Sequence, residues 1–279
     1  MPLTLANAYF KTSERLNPAR PSARDRRMNR IKISPLANIP IKSSTALSDS
    51  KDTRTQQAHD PFSPFDCAPD TSNSCLFLPL NYEKNYEYPL LVWLHSNGDD
   101  SNQLRRVMPD ISLQNFVAAS PQASVGNQNC GYYWEQDESS IDFATDTALA
   151  TIEMARCRAN INSRKIFVGG FGAAGTMAFR IAFTHPDLFA GVASINGPLP
   201  QGFAPLGRWS SSRNIEIFWS QYRKSDEFQQ DKLCRQLKLL HVAGFSVTLR
   251  QYPGGDELTR TALADMNRWI MQMFNSTIS

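Results

Sequence analysis

Residues 168–175 read VGGFGAAG, and this stretch decides the fold. The apolar run Lys165–Gly169 leads into it and predicts a buried strand, while small and apolar residues over 173–184 predict a helix. Glycine allows a sharp turn and lets two backbones approach closely. The sequence therefore predicts a strand, a tight turn at Gly172 and a helix that packs back against the strand.

From residue 74 onward, short apolar runs alternate with helical patterns, which is typical of a parallel sheet with crossover helices. We therefore predict an α/β fold with a mainly parallel, twisted sheet and helices on both faces. The predicted strands are Cys75–Leu80, Pro89–His95, Phe116–Ser120, Lys165–Gly169, Gly191–Ile195, Ile215–Ser220 and Ser246–Gln251. The predicted helices cover residues 101–108, 141–159, 173–184, 227–242 and 258–274.

The first 73 residues differ from the rest of the chain in composition. They are rich in Ser, Pro and Arg, and they show no sustained apolar periodicity. Residues 1–60 hold 11 of the 29 Lys and Arg residues but only 5 of the 26 Asp and Glu residues. We predict a disordered basic extension over 1–73 and one folded domain over 74–279.

Two further interpretations of the extension are open. Its arginines at 24, 26, 27 and 30 are able to attract nucleic acid or an anionic membrane, although no aromatic residues alternate with them for base stacking. Alternatively, translation starts at Met28, and residues 1–27 then do not belong to the protein. A solvated arm is the simplest interpretation.

The sequence carries no apolar run typical of a signal peptide or a membrane span, so we expect a soluble, cytoplasmic protein. Its 5 cysteines are irregularly spaced and match neither a disulfide framework nor a metal finger. There is no Walker A loop and no HExxH motif. Glycines 170, 172 and 175 follow too many predicted strands for a dinucleotide fingerprint. We expect no cofactor and no metal ion.

Three other stretches accompany the glycine-rich turn. They are PLLVWLHSNGDD at 89–100, HPDLFAGVASINGPLP at 185–200 and YPGGDEL at 252–258. In this order, the four stretches resemble the carboxylesterase and phospholipase branch of the α/β-hydrolases, which includes acyl-thioesterases and polyhydroxybutyrate-depolymerase-like proteins. The resemblance covers roughly residues 74–275 and implies an α/β-hydrolase-like fold, with residues 170–174 at the nucleophile elbow, G-x-S-x-G.

The chain departs from the family pattern at the catalytic triad. Gly172 stands where the resemblance places the serine nucleophile, and Asp256 stands where it places the histidine base. The orienting acid corresponds to Lys224 or Ser225, or to Asp226 if the alignment shifts by two positions. We therefore expect no catalytic residue at these positions.

The oxyanion hole is built from backbone N–H groups, which do not depend on side-chain identity. The resemblance places its donors at Asn97 and Ala173, and the glycine that precedes the first donor in the family is Ser96 here. We interpret His95, at a strand end, as a hydrogen-bonded structural residue rather than a base. The residues that we expect to line the cleft are His95, Ser96, Gly98, Phe171 and Trp134.

These substitutions predict a pseudoenzyme, whose vestigial cleft binds a small acyl or peptide ligand, or a partner, without turnover. One alternative is an active carboxylic-ester hydrolase with a relocated nucleophile, drawn from Ser96, Ser101, Ser220 and Cys130. Another is an adaptor that binds nucleic acid or an anionic membrane through the N-terminal arm. The carboxylates at the predicted mouth of the cleft have no metal-ligand spacing; they are Asp99, Asp100, Asp256 and Glu257.

Overall fold

The computed structural model of the 279-residue chain describes residues 65–66, 74–201, 215–225 and 230–275. Of the predicted basic extension over 1–73, the structure describes only residues 65 and 66; its arginine cluster and Met28 fall outside the described residues. Asp226, one of the possible positions of the orienting acid, also falls outside them.

Eight strands form one sheet in the order β1-β2-β4-β3-β7-β8-β9-β10. The pairs β1–β2 and β2–β4 are antiparallel, and β4, β3, β7, β8, β9 and β10 run parallel to their neighbours. The strands of this sheet are β1 Phe65–Asp66, β2 Cys75–Phe77, β3 Tyr88–Leu94, β4 Val117–Ser120, β7 Ile161–Phe171, β8 Gly191–Ile195, β9 Glu216–Tyr222 and β10 Val247–Tyr252.

Helices cover both faces of this sheet, because alternate side chains of each buried strand point to opposite sides. In β3, Leu90, Val92 and Leu94 belong to one core cluster with residues of α2, α3 and α4, whereas Leu91 and Trp93 belong to a second cluster with residues of α1 and α5. The helices are α1 Gln103–Ile111, α2 Glu138–Arg158, α3 Ala173–Thr184, α4 Gln230–Val242 and α5 Arg260–Asn275. The predicted α/β class, with a mainly parallel sheet between helical layers, is confirmed.

A short hairpin was not predicted. It consists of β5 Val125–Asn127 and β6 Gly131–Tyr133, which pair antiparallel outside the main sheet. Its residues are partly or fully exposed and show no apolar alternation, so the sequence gives no strand signal there. This hairpin packs on the loop after β3 and therefore bears on the functional site.

None of the helices in the described ranges is long and apolar enough to cross a membrane.

Candidate functional site

The turn between β7 and α3 holds its central residue in a strained conformation. Gly172 has φ +60° and ψ −127°, a combination that residues with a side chain rarely adopt. Its N–H donates a 2.9 Å hydrogen bond to the carbonyl of Ile195, and its carbonyl accepts from the N–H of Thr176 at 3.2 Å. The turn is therefore fixed to the end of β8 on one side and to the first turn of α3 on the other.

The glycines around this turn are required for packing, but Gly172 is not. A Cβ atom at Gly170 would lie 2.8 Å from Ala174, and one at Gly197 would lie 2.5 Å from the carbonyl oxygen of Gly172. A Cβ atom at Gly172 would meet nothing within 4 Å. The space next to the Cα atom of Gly172, where another residue would place its side chain, is therefore empty.

The loop after β3 lies against the β5–β6 hairpin. The N–H of Gly98 donates to the carbonyl of Tyr132 at 2.9 Å, and the N–H of Tyr132 donates to the carbonyl of Asp99 at 2.8 Å. The side-chain oxygen of Asn97 accepts from the N–H of Trp134 at 2.9 Å. These bonds hold the loop in an extended, strand-like pairing, which fixes the direction of its backbone.

Gln103 supports the same loop from α1. Its Oε1 accepts from the N–H of Ser96 at 3.0 Å and from the indole N–H of Trp93 at 2.9 Å. Its Nε2 donates to the hydroxyl of Ser96 at 2.9 Å and to a carboxylate oxygen of Asp99 at 3.0 Å. The buried amide of Gln103 is thereby satisfied, and the Ser96 hydroxyl is occupied by a structural hydrogen bond.

Asp99 completes this support as an ionised carboxylate. Partial burial opposes ionisation, but hydrogen bonds from Arg106, from the Asp100 backbone and from Gln103 outweigh it and lower the pKa of Asp99. Arg106 and Asp99 form an ion pair. In the part of the chain that the structure describes, no three carboxylate, histidine or cysteine side chains are arranged to hold a metal ion.

His95 and Trp134 lie beneath this loop. We expected both to line the cleft, but His95 is 0% exposed and Trp134 is 3% exposed. The indole N–H of Trp134 donates to the carbonyl of His95 at 2.7 Å, and their ring centroids are 5.1 Å apart. Both side chains are therefore packed beneath the loop and support it, and neither is exposed at the cleft surface. Gly98 is exposed at the loop surface, and Ser96 and Phe171 are half-buried.

The hydrogen bonds of His95 define a neutral ring. The N–H of Ala123 donates to its Nε2 at 3.1 Å, so this nitrogen carries no proton, and Nδ1 donates to the carbonyl of Ser96 at 2.9 Å. Burial lowers the pKa of His95 and outweighs the opposing effects of the Ser96 carbonyl, Asp99 and Asp100. Both ring nitrogens are occupied, so His95 is a structural residue and is not placed to act as a base.

The positions at which the sequence resemblance places the histidine and the acid both contact a third residue, Asn196. Its Nδ2 donates to Asp256 at 2.8 Å and lies 3.4 Å from the hydroxyl of Ser225, and its Oδ1 accepts from the N–H of Tyr222 at 3.1 Å. Asn196 directly follows Ile195, whose carbonyl binds the N–H of Gly172. A polar cluster of Asn196, Ser225 and Asp256 thus remains beside the turn.

Sequence reasoning missed Asn196, although a signal for it exists. Its φ is +55°, and asparagine is among the few residues other than glycine that adopt this conformation readily. The Asn-Gly-Pro sequence at the end of a buried strand is consistent with such a turn. Of the candidate acid positions, Ser225 contributes its side chain to the cluster, whereas the side chain of Lys224 is exposed.

The proposed replacement nucleophiles lack an activating base. Ser101 is 6% exposed and Ser220 is fully buried. Cys130 is exposed in the hairpin loop. Within the described residues, none of these groups, nor Ser96, is hydrogen-bonded to a histidine ring. His185 follows the far end of α3, and His241 lies in α4.

Solved structures of esterases share this architecture. A Bacillus cereus carboxylesterase matches with a TM-score of 0.60 at 15% identity, covering 74% of this chain and 96% of that one. A Mesorhizobium loti carboxylesterase matches with a TM-score of 0.55 at 17% identity, covering 66% and 88%. Arabidopsis thaliana SOBER1 matches with a TM-score of 0.54 at 21% identity, covering 67% and 99%.

This chain has the α/β-hydrolase fold. The fold that the sequence resemblance implies is therefore confirmed. The assignment of the turn at Gly172 as the nucleophile elbow stays a prediction of that resemblance. The assignment of Asn97 and Ala173 as oxyanion-hole donors likewise stays a prediction.

Comparisons of the sequence cover less of the chain than the structural comparisons do. No family model matches the chain. A curated protein of Nocardia uniformis subsp. tsuyamanensis, described as "Putative esterase NocK", is 29% identical over 118 residues. The match covers 40% of this chain and spans only 33% of that protein's length.

The strain at the elbow predicts the effect of adding a side chain. Gly172→Ala should lower the free energy of unfolding by about 1–3 kcal/mol, because a positive φ strains alanine even where its Cβ atom has room. Gly255→Ala is the matched control, since its Cβ atom would lie 3.9 Å from the nearest neighbour at an ordinary φ. Urea unfolding of both variants measures the difference. Equal stability of the two variants would show that the elbow is unstrained.

The buried His95 predicts a pH dependence of stability. Burial lowers the pKa of His95 in the folded chain below the unfolded value of about 6.5. When the pH falls below about 6.5, the unfolded chain binds this proton before the folded chain does, so the free energy of unfolding decreases. Above that pH, the contribution of His95 to stability is complete. His95→Gln should therefore flatten the fall in unfolding free energy between about pH 7 and pH 5. His185→Gln removes a histidine after the carboxyl end of α3, outside this loop, and controls for the substitution itself. An unchanged slope in His95→Gln would contradict the assignment.

Proposed function

We propose that this protein is an esterase-like pseudoenzyme that binds a small acyl ligand, free or on a peptide, without hydrolysing it. One observation carries the proposal: the elbow keeps the backbone conformation of a nucleophile elbow, but its central residue, Gly172, has no side chain. Acyl transfer at such a site requires a hydroxyl or thiol that attacks the carbonyl carbon. Glycine supplies none.

The substitution at the base position supports the same conclusion. A histidine normally takes the proton of the nucleophile and returns it to the leaving group. Asp256 holds that position and accepts a hydrogen bond from Asn196. Since the nucleophile and the base are both absent, restoring only one of them leaves the proton transfer without a donor or an acceptor.

The binding half of the proposal rests on the backbone donors. Ala173 is the first residue of α3, and the first N–H groups of a helix have no acceptor within the helix. The positive end of the helix dipole favours an oxygen that carries negative charge. In the loop after β3, Gln103 holds the backbone of Ser96, and the N–H of Trp134 holds the side chain of Asn97. A carbonyl or carboxylate oxygen between Asn97 and Ala173 fits this arrangement.

The free space at Gly172 suits the acyl part of such a ligand. In an active esterase, the serine side chain fills this position, whereas here nothing lies within 4 Å of it. The esterase names of the structural neighbours agree with an acyl ligand, although their activities belong to those proteins.

Hydrolysis of p-nitrophenyl butyrate tests the absence of turnover. The native chain should match the buffer rate, because it lacks both the nucleophile and the base. Gly172→Ser alone should stay at that rate, and only the combination Gly172→Ser, Asp256→His and Ser225→Asp should exceed it. Saturable turnover by the native chain would contradict the proposal, and loss of that turnover in Ser96→Ala or Cys130→Ser would identify a relocated nucleophile.

The proposed binding of an acyl ligand is tested by a separate measurement. Titration with butyrate, followed by NMR, should shift the amide resonances of Asn97 and Ala173 in the native chain. Butylamine has the same alkyl chain without the oxygens and serves as the control ligand. If butyrate does not shift these amide resonances, the proposed binding of an acyl ligand at Asn97 and Ala173 is contradicted.

A further inference from the structure

A second depression lies at the opposite end of β7 from the elbow. It includes Ile161, the first residue of β7, whereas the elbow follows Phe171, the last. Eleven residues of extended strand separate the two places by about 30 Å. The depression therefore does not belong to the esterase-like site, and its interpretation does not rest on the proposed function.

The depression has a volume of about 450 Å³, within the range of small-molecule sites. Its walls come from the segment before β3, from the last turn of α2 and from the start of β7. The three charged residues in these walls are all cations. The lining residues are Tyr82, Lys84, Arg156, Cys157, Arg158, Ala159, Asn160 and Ile161.

Hydrogen-bond donors dominate these walls. Arg156 pairs with Glu153 through one nitrogen, and a guanidinium has five N–H donors in total. Lys84 has no acidic partner among the residues that the structure describes. The hydroxyl of Tyr82 accepts a 2.7 Å hydrogen bond from the N–H of Asn160, which leaves its own proton available to a ligand.

Cations at the end of a helix also have a purely structural explanation, because they offset the dipole. The carboxyl end of α2 carries roughly half a negative charge, and Arg156 and Arg158 lie in its last turn. Lys84, however, belongs to a different segment, before β3, and the N–H of Ala159 already caps the carbonyl of Ala155 at 2.8 Å. The helix end therefore does not explain why a third cation joins the two arginines in one wall.

We propose that this depression binds a small organic phosphate. Arginine matches the geometry of phosphate oxygens through paired N–H donors, and lysine adds a point charge. A phosphoryl group offers three acceptor oxygens to a wall that is rich in donors. The volume exceeds what a single phosphate fills, so the rest of the ligand also lies in the depression.

Cys157 provides a direct readout, because its exposed thiol lies in the wall. Alkylation by neutral iodoacetamide, quantified by peptide mass spectrometry, should slow at Cys157 when glycerol 3-phosphate is added. At ten times the Kd, about a tenth of the sites stay empty, so the rate should fall roughly tenfold. The exposed cysteines at 130 and 234 are internal controls whose rates should not change. Sodium chloride at equal ionic strength controls for screening.

Variants separate binding from an indirect effect. Lys84→Gln and Arg158→Gln should each raise the glycerol 3-phosphate concentration needed for protection by roughly tenfold. Lys238→Gln, on the exposed surface of α4, should leave it unchanged. A parallel arm uses vesicles of phosphatidylcholine and phosphatidic acid, which carry the same phosphate on a lipid.

The outcomes are distinct. Protection of Cys157 by glycerol 3-phosphate, lost in both cavity variants and kept in Lys238→Gln, supports the proposal. Protection by vesicles alone would replace the small ligand with a lipid surface and overturns it. No protection, protection by chloride alone, or equal slowing at all three cysteines also overturns it.

Discussion

The positive φ of Gly172 is the constraint on which the rest of the site depends. This conformation reverses the chain within one residue, so that the amino end of α3 lies directly beside the carboxyl end of β7. The hydrogen bond from the Gly172 N–H to Ile195 fixes the turn to β8, and Asn196 then carries the link to Asp256. The strained turn at Gly172 therefore lies next to the first N–H groups of α3, to the open space at position 172 and to the polar cluster at Asn196.

Several hydrogen bonds from α1 and from the hairpin hold the loop after β3. Gln103 satisfies Ser96, Asp99 and Trp93 at once, and Asn97 is bonded to the hairpin. Gln103 also accepts a hydrogen bond from the backbone N–H of Ser96, and none of these bonds involves a side chain at position 172 or 256. A glycine at position 172 is therefore compatible with this loop geometry, and the proposed binding role needs no side chain there.

The sequence predicted the parts of the fold that depend on local patterns. The run YPLLVWL in β3 is apolar on both faces, and it is buried on both. The glycines at 170 and 172 predicted the elbow, because close packing and a positive φ both favour glycine. The resemblance also places the missing nucleophile at Gly172 and the missing base at Asp256, and these two assignments stay predictions.

Other features depend on contacts between distant segments. The hairpin is held by backbone bonds to Gly98 and Asp99, which leave no pattern in its side chains. The cluster at Asn196 forms only because segments near 222–225 and 256 approach the end of β8. For the same reason, His95 and Trp134 were expected at the cleft surface, but they lie beneath the loop.

Labelling with an alkyl fluorophosphonate, followed by intact-mass spectrometry, tests the central claim most directly. This reagent reacts much faster with a serine that a neighbouring base activates than with an ordinary hydroxyl, so it reports the chemistry of the cleft without assuming a substrate. We predict no adduct on the native chain. A stoichiometric adduct on the native chain, located on any serine, would show that an activated nucleophile exists and would contradict the loss of catalysis.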